Sequence, residues 1–380
     1  MSRIPTYLQV AGRNLAQNWR RTLTATGGIA FAILLVFMQL GFLQAARRGA
    51  TLIYTDLDFD AAILSGRYQS IAQPGTIDRT RLAQALSVAG VMEVAPVYVR
   101  NARWRNQATD DTASIMLLGL PSGPGWLANP DLRAGVGVLA RNDAILIDEL
   151  SHRDFGDIAT GSEGEINGQR FRIGGRFAQG MSMFSEGAAA LSPNALERIS
   201  PGASVSPTLG LVRVSPGADA RAVVTALAAA LPADTLALTR ADLIQRDQDF
   251  FVKVKPVGMV FQVGVFVALV VGAVILFQVL STEIANRLRE YATMKAMGLS
   301  NAFIYRIGVS QAVLFGAMGY FPALFGAWCI YAVVRYFSRL PMLVTLPLAT
   351  QVAAMALGLC TLSSFMALRR VRQADPAELF

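Results

Sequence analysis

Four stretches of this chain contain no Asp, Glu, Lys, Arg or His: residues 24–46, 256–282, 307–334 and 341–368. Each exceeds the roughly 20 apolar residues that cross a bilayer as a helix. A buried helix of that length in a water-soluble protein keeps a polar stripe, and these blocks have no charged residue to form one. The chain is 53% hydrophobic and 16% charged, whereas soluble domains sit near 45–50% and about 25%. That excess is concentrated in the four blocks. The first block follows Arg20 and Arg21, but its apolar part is longer than the ~7–15 residues of a cleaved signal. It therefore reads as a retained span.

Charge outside the blocks gives a topology. Arg3, Arg13, Arg20 and Arg21 precede the first block, and Arg287, Arg289, Lys295 and Arg306 lie between the second and third. Arg369, Arg370 and Arg372 follow the fourth. Arg47, Arg48, Lys253, Lys255, Arg335 and Arg339 oppose them from the other side. The balance predicts both termini in the cytoplasm. The net charge of +8 then reflects topology and membrane lipid headgroups rather than nucleic acid. Ile4, Leu8, Ala11, Leu15 and Trp19 share one helical face, which predicts an amphipathic helix at the membrane surface.

Several chemistries lack raw material. Cys329 and Cys360 both lie inside blocks, and His152 is the single histidine. That leaves no disulfide framework, metal-ligand set or histidine-based triad. The acidic residues Asp148, Glu149, Asp154 and Asp157 read as a solvated loop. No ionisable group lies at membrane depth, whereas proton- and ion-coupled transporters need one. Gln39, Gln262, Gln278 and Gln311 are the main polar groups of the blocks, and interhelical hydrogen bonds are their expected role. Gly316, Gly319, Pro322 and Gly326 in the third block allow close helix approach and a kink. The sequence leaves open whether the neighbour belongs to the same chain or to a second copy.

Residues 47–255 have ordinary domain composition. At one end, 61–66 reads as a strand, 77–90 as a helix capped by Asp78, and 91–99 as a strand. At the other, 209–215, 218–232 with Asp219 at its start, and 234–239 repeat that order. Two such units pack side by side as one α+β layer. Between them, 100–207 is turn-rich and strand-like, with Asn167-Gly168 as a hairpin turn. The predicted fold is thus an α-helical integral membrane protein with four transmembrane helices. A large two-lobed α+β extracytoplasmic domain lies between helices 1 and 2.

The segment "EIANRLREYATMKAMGLSNAFIYR" starts at Glu283, between the second and third blocks. Ile284, Leu288, Tyr291, Met294 or Lys295, and Gly298 recur at helical spacing. Glu283 and Arg287 form an i, i+4 pair, Lys295 suits a helix C-terminus, and Gly298 suits a left-handed stop. Ser300 or Asn301 can cap the next helix. Pattern alone allows either a solvated hairpin tip or a docking element.

Within this segment "REYATMKAMGLS" resembles the signature EYATLKAMGY of DevC-family permeases, in the MacB/FtsX-like superfamily of ABC-transporter membrane subunits. Met294 stands where Leu is usual and Leu299 where an aromatic is common. "PVYVRNARWRN", "ILIDELSHRDFGD", "GRFAQGMSMFSEGAAALS" and "RRVRQADPAELF" are similar to further parts of that family. The resemblance implies a non-catalytic subunit with no cofactor of its own. ATP and Mg would bind a separate ABC ATPase, and the chain has no GxxxxGK[ST] phosphate loop. It further implies a homodimer with a second permease copy, a periplasmic adaptor and a TolC-like outer-membrane channel. Mechanical transmission would export hydrophobic or lipid-like cargo from a bacterial inner membrane. Glu290, Tyr291, Lys295, Met297 and Gly298 become the ATPase-coupling residues.

The expected boundaries are a surface helix 1–23, spans 24–46, 256–282, 307–334 and 341–368, and a domain 47–255. That domain has a paired lobe at 55–99 and 208–240 and a β-rich lobe at 100–207. A coupling segment 283–306, a short loop 335–340 and a tail 369–380 complete the chain. The competing readings are a lipoprotein-releasing permease, a receptor with a periplasmic ligand-binding domain and a membrane-bound enzyme.

Overall fold

The computed structural model describes residues 19–121, 123–180, 185–254, 256–286, 293, 297–298 and 300–373. The surface helix expected before residue 19 lies outside them. The chain forms two compact units, one of membrane spans and one of residues 45–258 together with 334–341.

In chain order the elements used below are α1 (Trp19–Gly49), α2 (Leu52–Thr55), β1 (Ala61–Ser65), α3 (Thr80–Leu86), β2 (Val91–Arg105) and β3 (Thr112–Gly119). Then follow β4 (Ala144–Asp148), β5 (Glu163–Ile166), β6 (Gln169–Phe177), β7 (Gly187–Leu191), α4 (Pro193–Ile199), β8 (Leu209–Val214), α5 (Ala220–Ala230), β9 (Thr235–Thr239) and α6 (Arg240–Asp249). The chain continues through a π-helical stretch, Phe250–Val254, into α7 (Pro256–Asn286), α8 (Asn301–Ser338) and α9 (Leu346–Gln373).

The α+β unit is built on one long strand. β9, β1, β8 and β2 form an antiparallel layer in that order, with registers Ala61↔Thr239, Ile63↔Gly210 and Val97↔Leu209. Two strand–helix–strand units interleaved in this way give a split βαβ layer. Val223, Leu227, Leu82 and Ala85, from the two helices, bury one face against Ala61, Ile63 and Val212. Gly210 has no side chain because Leu82 of α3 occupies the space a Cβ would need. α3 is shorter than the helix expected over 77–90. Asp78 accepts a bond from the Thr80 amide at its start, and Gly90 at φ 88° turns the chain after it.

β2 does not stop where this layer ends. Its second half pairs with β3 from Tyr98↔Gly119 to Arg105↔Thr112, and Trp104 also pairs with Ile166 of β5. β3–β7, β7–β4, β4–β6 and β6–β5 complete the circuit, so six strands close into a ring, which removes exposed strand edges. The lobe boundary drawn at residue 99 therefore falls inside a continuous strand that belongs to both lobes. Alternation hides this continuity, because residues 97–99 are buried on both faces. Asn167 and Gly168 link β5 to β6 with φ of 48° and 81°, the all-positive geometry of a two-residue hairpin. Inside this lobe Trp104 stacks on Phe155 at 5.4 Å and donates its indole N–H to the Phe155 carbonyl at 3.1 Å. The Gly164 backbone passes so close to the indole that a Cβ there would overlap it.

In the membrane unit α1 is the central helix: Ile29, Ala32, Ile33, Val36 and Phe37 are all under 5% exposed. Among the described residues, three hydroxyls make cross-helix hydrogen bonds. Tyr331 donates to the Phe37 carbonyl, Tyr320 to Ala349 at 2.9 Å and Ser363 to Ala273 at 3.4 Å. Gln262 and Gln278 lie exposed on α7 within this chain. The loop expected at 335–340 is helical through Ser338, because nothing breaks α8 before Arg339, whose φ is 55°. Residues 341–345 are not helical, and α9 starts at Leu346 with Pro347 in its first turn, where a missing N–H is harmless.

The Trp104–Gly164 contact is tested by a mutant cycle. Trp104→Ala should lower stability by about 3–5 kcal/mol. Gly164→Ala should be destabilising in the native protein but add little in the Trp104→Ala background. Thermal melts of the four proteins measure both effects, and simple additivity would refute the contact.

Candidate functional site

The connection between α7 and α8 is the first candidate. Glu290, Tyr291 and Lys295 lie outside the described residues. The Met297 amide donates to the Thr293 carbonyl at 3.0 Å, a bond of helical spacing. Gly298 follows at φ 87°, and among the described residues beyond its chain neighbours no atom lies within 4 Å of where its Cβ would be. Left-handed backbone favours glycine, so conformation rather than crowding selects it here. Ser300 then accepts from the Phe303 amide at 2.9 Å through its carbonyl, and α8 begins at Asn301. The tip leaves Met297 70% exposed. A flexible thioether suits an adaptable apolar contact and offers no acid, base or nucleophile.

The small residues of α8 divide. A Cβ on Gly316 would sit 2.5 Å from the Cys360 sulfur of α9, and one on Gly319 would sit 2.8 Å from Ile29 of α1. Gly326 faces Leu34 of α1 with more room, at 3.6 Å. These approaches are within one chain, which answers the question the sequence left open for these three glycines. Pro322, grouped with them by spacing, is exposed within an unbroken helix. Among the described residues no cluster of three His, Cys, Asp or Glu could hold a metal ion.

The α+β unit contains a buried acidic network that pattern reading missed. Asp56, just after α2, accepts from the Asn129 amide group at 2.9 Å and the Gln179 amide group at 2.7 Å. Asp148 ends β4, is fully buried, and accepts from the backbone N–H groups of Leu150 (3.1 Å), Gln179 (3.0 Å) and Gly180 (3.0 Å). The expected solvated acidic loop is corrected for this residue: strand β4 carries it inward, and backbone amides satisfy its oxygens. Both acids hold residues 178–180. Burial is the main cause that raises each carboxyl. It outweighs the hydrogen bonds that favour the charged form and moves Asp56 up to about 6. The charge of Asp148 adds to the rise at Asp56. Nothing in "IYTDLDFD" distinguishes Asp56 from Asp58 and Asp60; its partners arrive from far along the chain.

Four apolar spans with an α+β domain inserted after the first define a membrane permease subunit with a large extracytoplasmic domain. Residues 22–230 match the MacB-like periplasmic core domain and residues 263–376 the FtsX-like permease C-terminal domain. The chain belongs to this MacB/FtsX-like permease family and is a multi-pass membrane subunit of an ABC transporter. No curated protein matches it. Among solved structures it is similar to the extracellular domain of the noncanonic ABC-type transporter YknZ from Gram-positive bacteria. The identity is 14%, with 47% of this chain and 98% of that one covered, at a TM-score of 0.34. It is also similar to the periplasmic region of MacB from Actinobacillus actinomycetemcomitans. There the identity is 11%, with 51% and 94% covered, at a TM-score of 0.35.

The Asp56 network makes stability depend on pH. Its carboxyl titrates near 6 when folded against an ordinary 3.8. Its contribution is therefore complete below pH ~4 and is lost as pH rises through about 6, for a total of roughly 3 kcal/mol. The thermal midpoint should fall across that window in the native protein. Asp56→Asn should remove this part of the fall; an unchanged pH slope would exclude the network.

Proposed function

We propose that this permease is the membrane subunit of a DevC-like exporter, and that the α7–α8 tip is where a separate ABC ATPase grips it. The carrying observation is at the tip: Gly298 takes φ 87° and Met297 is exposed. It lies within the segment whose residues resemble the DevC signature. A connection between two membrane-spanning helices can transmit force along them, because a helical backbone is stiff along its axis. α7 and α8 contain 31 and 38 residues, or about 45 and 55 Å at ~1.5 Å per residue. Both exceed the ~30 Å hydrocarbon thickness, so each has turns to spare beyond the bilayer.

In this reading both termini and the tip are cytoplasmic in a bacterial inner membrane. Two copies pair as a homodimer, and ATP and Mg act on the partner ATPase. Glu290, Tyr291 and Lys295 join Met297 in the contact. The extracytoplasmic domain passes motion to an adaptor and a TolC-like channel for hydrophobic or lipid-like cargo. The family relationship supports the ATPase partner and the dimer; the motif resemblance supports the remainder.

Two measurements test this proposal. Changing Glu290 and Lys295 together to Ala should abolish co-purification of an ATP-binding subunit in mild detergent while leaving membrane insertion intact. Gly298→Val should strain the turn by about 1–2 kcal/mol. Cargo moved per ATP hydrolysed should then fall, with Gly298→Ala intermediate. Normal transport by Gly298→Val would show that the turn is not the coupling element.

A further inference from the structure

Asp247 lies on α6 with no exposed surface. The Tyr54 hydroxyl, from α2, is 2.6 Å from its Oδ2. The Tyr68 hydroxyl is 3.0 Å from Oδ1 and 3.1 Å from Oδ2, and the two hydroxyls are 2.8 Å apart. The Ile71 amide also donates to Oδ2, at 3.2 Å. Three side chains thus form a closed triangle, and each edge is at hydrogen-bond distance.

Counting hydrogens decides the state of the triangle. Each edge needs one hydrogen along it. An ionised carboxylate only accepts. Two hydroxyls would then supply two hydrogens for three edges, leaving one close pair of buried oxygens unbridged. A carboxylic acid supplies the third. We propose that this triangle is a proton-operated latch: Asp247 takes a proton from the medium bathing the domain, and the protonated triangle locks α6 to α2 and to residues 66–73.

The location gives the latch its purpose. α2 begins three residues after the end of α1, and α6 leads through Phe250–Val254 into α7. The triangle therefore ties together the points at which the chain enters and leaves the α+β unit. Neighbouring arginines reinforce the same junction. Arg240 donates to the Tyr54 carbonyl at 2.7 Å and lies over the Phe59 ring, and Arg246 donates to the Tyr68 carbonyl at 2.9 Å. Any displacement of one chain end against the other must work against this knot.

The electrostatics agree with the hydrogen count. Burial, the largest effect, outweighs the two hydroxyls, the Ile71 amide and the charge of Arg246, and raises the carboxyl to about 6. Asp249 on the same helix is paired with Lys253 at 3.0 Å. Tyr54 and Tyr68 are pushed well above their usual range, chiefly by burial, and remain hydroxyls. Because the closed form holds its proton more tightly than the open one, the latch is strongest below pH ~4. It weakens as pH rises through about 6, and opening should be about tenfold more frequent at pH 7 than at pH 5.

The experiment uses the full-length protein in lipid nanodiscs. Hydrogen exchange, corrected for intrinsic rate, is followed at pH 5 and pH 7 in peptides covering α2, residues 66–73 and α6. The pH-difference infrared spectrum is recorded on the same samples. The native protein should show about a tenfold rise in exchange and a protonated-carboxyl band. In an Asp56→Asn background, which removes the other carboxyl that titrates near 6, Asp247→Asn should diminish the band and lose the pH response of α2, residues 66–73 and α6. Equal exchange at both pH values, no such band, or a full response retained in Asp247→Asn would overturn the latch. If Asp247→Asn does not fold, Tyr68→Phe decides the matter: with the triangle opened, exchange in residues 66–73 and α6 at pH 5 should rise toward its pH 7 level. Exchange at pH 5 that stays at the native level overturns the proposal. None of these outcomes depends on the ATPase partner, so the latch and the coupling tip stand or fall separately.

Discussion

Inside hydrocarbon a backbone amide has no water to bond, and leaving it unpaired costs several kcal/mol. That constraint organises the membrane part of this protein. It makes the four uncharged blocks helical and confines irregular backbone to their ends: the turn at Gly298 and the break at residues 339–345. It also accounts for how the spans meet. Lipid is as apolar as leucine, so close packing has to hold the helices together. Gly316 and Gly319 admit Cys360 and Ile29, and Gly41 makes room for Tyr331. The Tyr331 hydroxyl then finds the Phe37 carbonyl.

Outside the membrane the corresponding constraint is satisfaction of strand edges and buried acids. β2 carries both lobes because each half of it has its own pairing partners. The domain thereby becomes one hydrogen-bonded body rather than two modules on a linker. Asp56, Asp148 and Asp247 are placed where burial would be expensive without partners, and each has at least two. Most of their partners come from segments distant in sequence, so these acids act as fasteners of tertiary structure. Two of them hold residues 179 and 180, and the third holds the junction between entry and exit.

Much of the architecture was legible because periodicity is local. The four spans follow from the absence of charge over a bilayer's thickness. The paired strand–helix–strand order follows from alternation, Ala-rich helical faces and the acids at Asp78 and Asp219. The hairpin at Asn167-Gly168 follows from two residues that tolerate positive φ. The continuity of β2 was not legible, since a strand passing from one sheet to another looks like a strand that ends. The extent of α8 was misread as well. Arg335 looked like a loop charge, yet a helix longer than the bilayer can carry charge beyond it.

What the sequence determined by itself is whatever depends on neighbours a few residues away: span number, strand and helix order, turn chemistry, and the family to which its motifs point. Only the tertiary structure decided which acids are buried, which glycines face a partner helix, and that three oxygens meet at Asp247. Burial and contact are properties of segments brought together from distances such as Tyr54 to Asp247. An aspartate in water and an aspartate in a core are the same letter until the fold removes the water.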